Sequence, residues 1–241
     1  MREIIYGKNS ILSLLDEDKS RIKTILIAKN INKNFIKKIK NDSQNKKIPL
    51  EIISEKEINK KTKTIKNQGI MAYVESYNYA SSDEILSIAE KSGREKKTVL
   101  FLDGITDPRN LGALIRSAVA FDILGIIIPN KNAAPVNMTV SKTAVGLENK
   151  IKIAKVKNLN KEIEKFKEKD FWFYGLDMTG KILSEIKFNG KIGLVIGSEG
   201  KGISKLTKVK MDFLIRIPMS EKVESLNAST AGGIAMFEIL K

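Results

Sequence analysis

Six short apolar runs constrain the fold of this chain more than any other feature. They lie at residues 98–102, 125–128, 151–154, 171–175, 192–196 and 213–217. Most are continuous rather than alternating. A strand that is apolar on both faces must be covered on both, as in a parallel sheet layered between helices. Helical patterns fill the intervals, at 109–121, 139–147, 158–169, 202–209 and 226–240. Residues 98–241 therefore read as an α/β domain with a parallel sheet. Runs such as Gly125-Ile126-Ile127-Ile128 are far too short to span a bilayer. Met1-Arg2-Glu3 is charged, with no apolar stretch behind it to act as a signal peptide. The expected location is cytoplasmic, with no membrane partner.

Residues 1–75 read as a smaller α/β unit. Tyr6-Gly7-Lys8-Asn9-Ser10 precedes a short helix with apolar Ile11, Leu12, Leu14 and Leu15. Thr24 to Ala28, Pro49 to Ile53 and Gly69 to Val74 read as strands, and residues 32–44 as a basic helix with Phe35, Ile36 and Ile39 inward. Lys60-Lys61-Thr62-Lys63 reads as a solvated face with the capacity to touch phosphate. Residues 76–97 are expected to be a linker carrying one short helix, Asp83 to Glu90, capped by Ser82 or Asp83.

The formal net charge is +15, which points to a polyanionic partner, nucleic acid first. The chain uses 37 Lys against 6 Arg, as AT-rich coding gives, but such bias does not explain an excess of bases over acids. That excess is uneven. Residues 1–75 hold 17 basic against 9 acidic side chains, and the much longer remainder holds 26 against 19. The N-terminal unit is thus the better candidate for phosphate contacts. The chain has no Cys and no His. It lacks a thiolate nucleophile, the commonest general base and the usual zinc ligands. Chemistry is left to Asn, Ser, Thr, Asp, Glu, Lys, Arg and the backbone, and no metal is expected.

Three stretches stand out against this background. In Asp107-Pro108-Arg109-Asn110-Leu111-Gly112, Asp107 and Pro108 make a good helix start, a capping side chain followed by Pro at N1. That local role does not account for Arg116 among Leu114, Ile115, Ala118 and Val119, where an arginine is expected to be paired or to bind an anion. Ile196-Gly197-Ser198-Glu199-Gly200-Lys201-Gly202 follows a strand and lacks the spacing of a dinucleotide or triphosphate loop. Its glycines serve turn geometry, or let a ligand approach the backbone at the carboxyl end of a strand. In Ser225-Leu226-Asn227, either polar residue can cap the last helix, which does not prevent a role in a site.

Together, and in this order, the three stretches resemble the motifs of the SpoU branch of the SPOUT methyltransferases. Tyr6 to Leu12 and Asn67-Gln68-Gly69-Ile70-Met71-Ala72 resemble that family's small substrate-binding domain, itself similar to a ribosomal-protein fold. Asn67 stands where the family usually has His, and Ala144 where Ser is common. The resemblance implies a deep trefoil knot in the C-terminal domain, S-adenosyl-L-methionine as methyl donor, and a homodimer whose active site draws on both chains. Carried over by motif position, Asn110, Arg116, Glu199, Ser225 and Asn227 form the catalytic neighbourhood, with Glu199 holding Arg116 or a neighbouring donor. Gly197, Ile217 and Leu226 hold the cofactor, largely through backbone atoms. Length and domain order resemble the subfamily that methylates a guanosine ribose in the P loop of 23S rRNA, on naked RNA or in an assembling large subunit. Two alternatives stay open: a tRNA or other rRNA 2′-O-methyltransferase of the same family, and a non-catalytic RNA-binding or ribosome-assembly protein that kept the fold.

Overall fold

The computed structural model describes residues 2–17 and 19–241. The chain divides into two compact units, Met1–Asn78 and Tyr79–Lys241.

The first unit contains β1 (Arg2–Tyr6), α1 (Lys8–Glu17), β2 (Ile22–Ala28), α2 (Lys33–Lys46), β3 (Leu50–Ile53), α3 (Glu55–Thr62) and β4 (Ile70–Glu75). Its sheet runs β1-β4-β2-β3, with β4 antiparallel to both β1 and β2, and β3 parallel to β2. Asn32 starts α2, its side-chain oxygen accepting from the backbone N–H of Asn34 and Phe35. Apolar periodicity alone does not show α3, because Ile58 is its one buried apolar side chain. A capping box makes that helix: Ser54 Oγ accepts from Glu57 N, and the Glu57 carboxylate accepts from Ser54 N at 3.0 Å. Lys60 and Lys61 form its last turn.

The two N-terminal stretches meet in space. Gln68 sits at φ +56° and its side-chain oxygen accepts from Lys8 N at 2.8 Å, at the mouth of α1. Asn67 is buried. It donates to Asn59 Oδ1, Thr62 Oγ1 and Thr64 O, and accepts from Gly69 N. Its amide braces the turn into β4.

The second unit contains α4 (Ser82–Lys91), β5 (Lys96–Asp103), α5 (Pro108–Ala120), β6 (Gly125–Pro129), α6 (Met138–Ala144), β7 (Ile153–Val156), α7 (Leu159–Lys167), β8 (Trp172–Ile182), β9 (Gly190–Gly197), α8 (Lys205–Lys208), β10 (Phe213–Arg216) and α9 (Ala228–Leu240). The six strands run β10-β8-β9-β5-β6-β7, every neighbouring pair parallel. Each of the six apolar runs falls wholly or partly in a strand. Phe101 stands at the centre of one layer, edge-on to Phe166 and Phe173 at 5.2 and 5.0 Å.

Several boundaries differ from expectation. The helix in the 76–97 segment is α4, capped by Ser81 rather than Ser82 or Asp83. Ser82 is instead buried within the helix. Ile85, Leu86 and Ala89 join the core of the second unit, so this stretch is structural and not a free connector. The helix expected at 139–147 stops at Ala144, because Val145 and Gly146 take left-handed conformations. The helix expected at 202–209 shrinks to the four residues of α8, the preceding residues being held in a tight loop.

Candidate active site

The carboxyl ends of β8, β9 and β10 open into a cleft of about 550 Å³, a size suited to a small ligand. Its position follows the rule for open parallel sheets, which bind ligands beyond the carboxyl ends of their strands. Gly197, Glu199, Ile217, Ser225 and Leu226 all line it. Two regions of the sequence, 197–199 and 217–226, thus share one wall.

Gly197 ends β9, and the loop after it folds back. Ser198 N donates to Gly202 O at 3.1 Å, and Gly202 N donates to Ser198 O at 2.9 Å. Gly200 and Gly202 have φ of +76° and +62°, which this reversal requires. A Cβ on Gly197 would lie 2.0 Å from the carbonyl carbon of Gly202 and 2.2 Å from Ile203 N. The glycine is therefore fixed first by the protein's own backbone, before any ligand is considered. Across the loop, Asp103 at the end of β5 accepts from Ser204 N at 2.9 Å.

Glu199, at the loop tip, meets two amides. Asn110 Nδ2 donates to Glu199 Oε1 at 3.0 Å. Asn227 Nδ2 donates to the same Oε1 and, at 2.9 Å, to Asn110 Oδ1. Each amide also sits at a helix mouth. Asp107 caps α5, accepting from Arg109 N, and Pro108 occupies its first turn, so Asn110 is placed near the start of α5. Asn227 caps α9, its Oδ1 accepting from Ser229 N and Thr230 N. Capping and site geometry are the work of one side chain. Ser225 lines the cleft but does not cap α9.

Arg116 is not in this cluster. It is exposed on α5, six residues beyond Asn110, about 9 Å further along the helix axis. Glu199 accepts from Asn110 and Asn227, so of the two expected partners, Arg116 or a neighbouring donor, the structure has the neighbouring donors. Beside Ser117 of α5 and Phe121 just after it, the surface of α9 is apolar and open: Ile234, Phe237 and Leu240 are 40%, 53% and 48% exposed.

Sequence reasoning missed the opposite wall, Leu176, Asp177, Met178 and Thr179 at the far end of β8, with Lys208 of α8. One signal was present. Asp177-Met178-Thr179-Gly180 is a glycine-ended stretch with two polar side chains just after the apolar run 171–175, the position at which such sheets bind ligands.

The cleft combines glycine backbone and aliphatic side chains with charged groups of both signs, among them Asp177, Glu199, Lys208 and Arg216, and has no phosphate-cradling loop, which fits a nucleoside carrying a charged amino-acid tail better than a nucleotide. A parallel sheet with such a cleft at its carboxyl ends agrees with the class that the sequence resemblance implies, the S-adenosylmethionine-dependent RNA methyltransferases. The model of the SpoU rRNA methylase family matches residues 97–237, and that of the RNA 2′-O ribose methyltransferase substrate-binding domain matches residues 4–80. The chain belongs to the SpoU family and is an RNA 2′-O-ribose methyltransferase with S-adenosylmethionine as donor. It is 35% identical to YacO of Bacillus subtilis (strain 168), named as a TrmH family tRNA/rRNA methyltransferase, over 99% of this chain and 95% of that one. It is 34% identical to the 23S rRNA (guanosine-2′-O-)-methyltransferase RlmB of Vibrio parahaemolyticus, over 99% and 96%. The fold matches the AdoMet-bound rRNA methyltransferase from Sinorhizobium meliloti with a TM-score of 0.67 at 22% identity, covering 99% of this chain and 86% of that one. The strand order is consistent with the trefoil knot that the family resemblance implies.

Proposed function

We propose that this protein methylates the 2′-oxygen of a guanosine ribose in the P loop of 23S rRNA, and that it does so as a homodimer. The observation that carries the reading is the full-length likeness to relatives named as 23S rRNA guanosine-2′-O-methyltransferases, N-terminal unit included. The strongly basic first unit supports an RNA substrate, since phosphate contacts dominate such affinity.

Gly197, Ile217 and Leu226 would hold the cofactor against the ends of β9 and β10 and the approach to α9. The cofactor supplies a methyl group already activated on a sulfonium. What remains for the protein is placement of the ribose and help with the proton of its hydroxyl. Asn110, Asn227 and Ser225 present amide and hydroxyl groups beside Glu199, and these orient the ribose and its phosphate. A guanidinium stays protonated in proteins, so Arg116 serves as an anion-binding group and not as a base. It binds the adjacent phosphate and stabilises developing alkoxide charge, and the proton leaves through phosphate or water. Arg116 is exposed and lies apart from Glu199 within one chain, and the next residue, Ser117, borders the open apolar face of α9. Pairing two copies through that face lets Arg116 of one serve the cleft of the other.

Substrate choice is tested with labelled cofactor, total tRNA and a 23S fragment containing the P loop. The fragment alone should be labelled, at one guanosine ribose. Preferential labelling of tRNA would overturn the rRNA assignment and leave the methyltransferase standing.

A further inference from the structure

The ladder between β10 and β8 contains a jump. Leu214 pairs with Gly175, but the next residue, Ile215, pairs with Lys181. Residues 176–180 have no register partner in β10 and form an arch between the paired ends, and its residues 176–179 are the cleft wall that sequence reasoning missed. Its return is tight: a Cβ on Gly180 would lie 2.4 Å from Leu214 C and Ile215 N.

A connected set of polar contacts spans the arch. Asp177 Oδ1 accepts from Thr179 N at 2.9 Å and from Thr179 Oγ1 at 2.6 Å, closing the turn on itself. Asp177 Oδ2 faces Lys208 Nζ at 2.8 Å, and Lys208 also donates to Thr179 Oγ1 at 3.3 Å. Lys208 belongs to α8, directly beyond the glycine loop that forms the other wall. The pair is shielded: the Asp177 side chain is 16% exposed and that of Lys208 34%. All three residues line the cleft.

We infer that Asp177, Thr179 and Lys208 form a latch that ties the 176–180 arch to α8 and so fixes the width of the cofactor cleft, with Lys208 a positioning residue for cofactor binding. The inference rests on the assignment of the cleft to the cofactor. Partial burial pushes the Asp177 pKa up. The hydrogen bonds from Lys208 and from the Thr179 side chain and backbone, with the Lys208 charge, outweigh this and leave it below the ordinary carboxylate range. Asp177 is thus ionised and the latch closed at neutral pH. Because both oxygens of Asp177 are engaged within the protein, the latch acts through the shape of the wall, without a charge of its own to offer the ligand.

The test is calorimetry on the full chain with two probes, S-adenosylhomocysteine and 5′-methylthioadenosine, the latter lacking the amino-acid tail. Lys208→Met should weaken both by about tenfold, the scale of one charge-assisted hydrogen bond. Lys208→Arg should recover most of the loss. Thr179→Val, which keeps the ion pair, should weaken both probes by a smaller factor, and it carries the test if Lys208→Met does not fold. Unchanged affinity in the folded variants overturns the latch and leaves the cleft assignment intact. A loss confined to S-adenosylhomocysteine also overturns it, since Lys208 would then be touching the carboxylate of the tail. Failure of the wild-type protein to bind either probe removes the cleft assignment itself.

Discussion

One oxygen of Glu199 accepts from two side-chain amides, and this double contact fixes the carboxylate and both amides as a rigid unit. The unit borders the cleft without the guanidinium, so cofactor binding and methyl transfer should separate by mutation. Arg116→Ala should abolish methyl transfer while S-adenosylmethionine affinity, read by calorimetry, stays near wild type, because Arg116 is assigned to RNA and to the transition state. Gly197→Ala should do the reverse kind of damage. Its new Cβ collides with the Gly202–Ile203 backbone, so the glycine loop must move, at a cost of about 1–3 kcal/mol in stability and with weakened cofactor binding. Loss of cofactor affinity in a folded Arg116→Ala protein would contradict the division of roles.

At the scale of elements, the site is made from helix mouths. Both α5 and α9 begin at the carboxyl end of the sheet, and the amides of Asn110 and Asn227 meet because these starts lie side by side. Close packing brings them there. A Cβ on Gly232 of α9 would lie 2.4 Å from Leu114 Cδ2 of α5 and 2.6 Å from Ile196 Cδ1 of β9. Asn227 serves cap and cluster together, and two substitutions divide those roles. Asn227→Ser keeps a capping oxygen and loses the amide donor, so methyl transfer should fall with little change in stability. Asn227→Ala loses the cap as well and should be less stable than Asn227→Ser by about 1 kcal/mol in chemical denaturation. Equal stability of the two would show that capping by Asn227 contributes nothing to α9.

On the proposed function the two compact units divide the labour, a basic one for RNA and a second for chemistry, and the division can be cut. The cut belongs at residue 79, ahead of α4, since Ile85, Leu86 and Ala89 pack in the core of the second unit. A fragment of residues 79–241 should unfold cooperatively and bind cofactor like the full chain. It should also bind 23S RNA more weakly and with a shallower salt dependence, by roughly 0.7–0.9 in log–log slope for each phosphate that the first unit neutralises. Filter binding from 50 to 300 mM salt, on the order of the range where counterion release dominates, reads both. An unchanged slope would remove the first unit from RNA binding. A fragment starting at residue 96 discards α4 and should melt well below the 79–241 fragment.

Much of this was legible in the sequence, because burial is written locally. A continuous apolar run records a strand covered on both faces, and each of the six runs falls wholly or partly in a strand of one parallel sheet, with the run at 151–154 overlapping only the first half of β7. The cap at Asp107, the start of the last helix and the glycine loop after β9 were legible for the same reason: their signals lie within a few residues of the structure they make. The absence of His and Cys likewise settled, before any fold, which side chains remain for chemistry. Other features had no local signal. The helix α3 depends on a capping box more than on periodicity, and the 176–180 arch depends on where β10 pairs. Asn110 meets Glu199 across 89 residues and Asn227 across 117. Arg116, only six residues from Asn110, stands apart from both. Proximity at that range is set by strand order and helix phase, which no stretch of sequence carries by itself, and so only the tertiary structure decided which members of the motif share a cluster and which one faces outward.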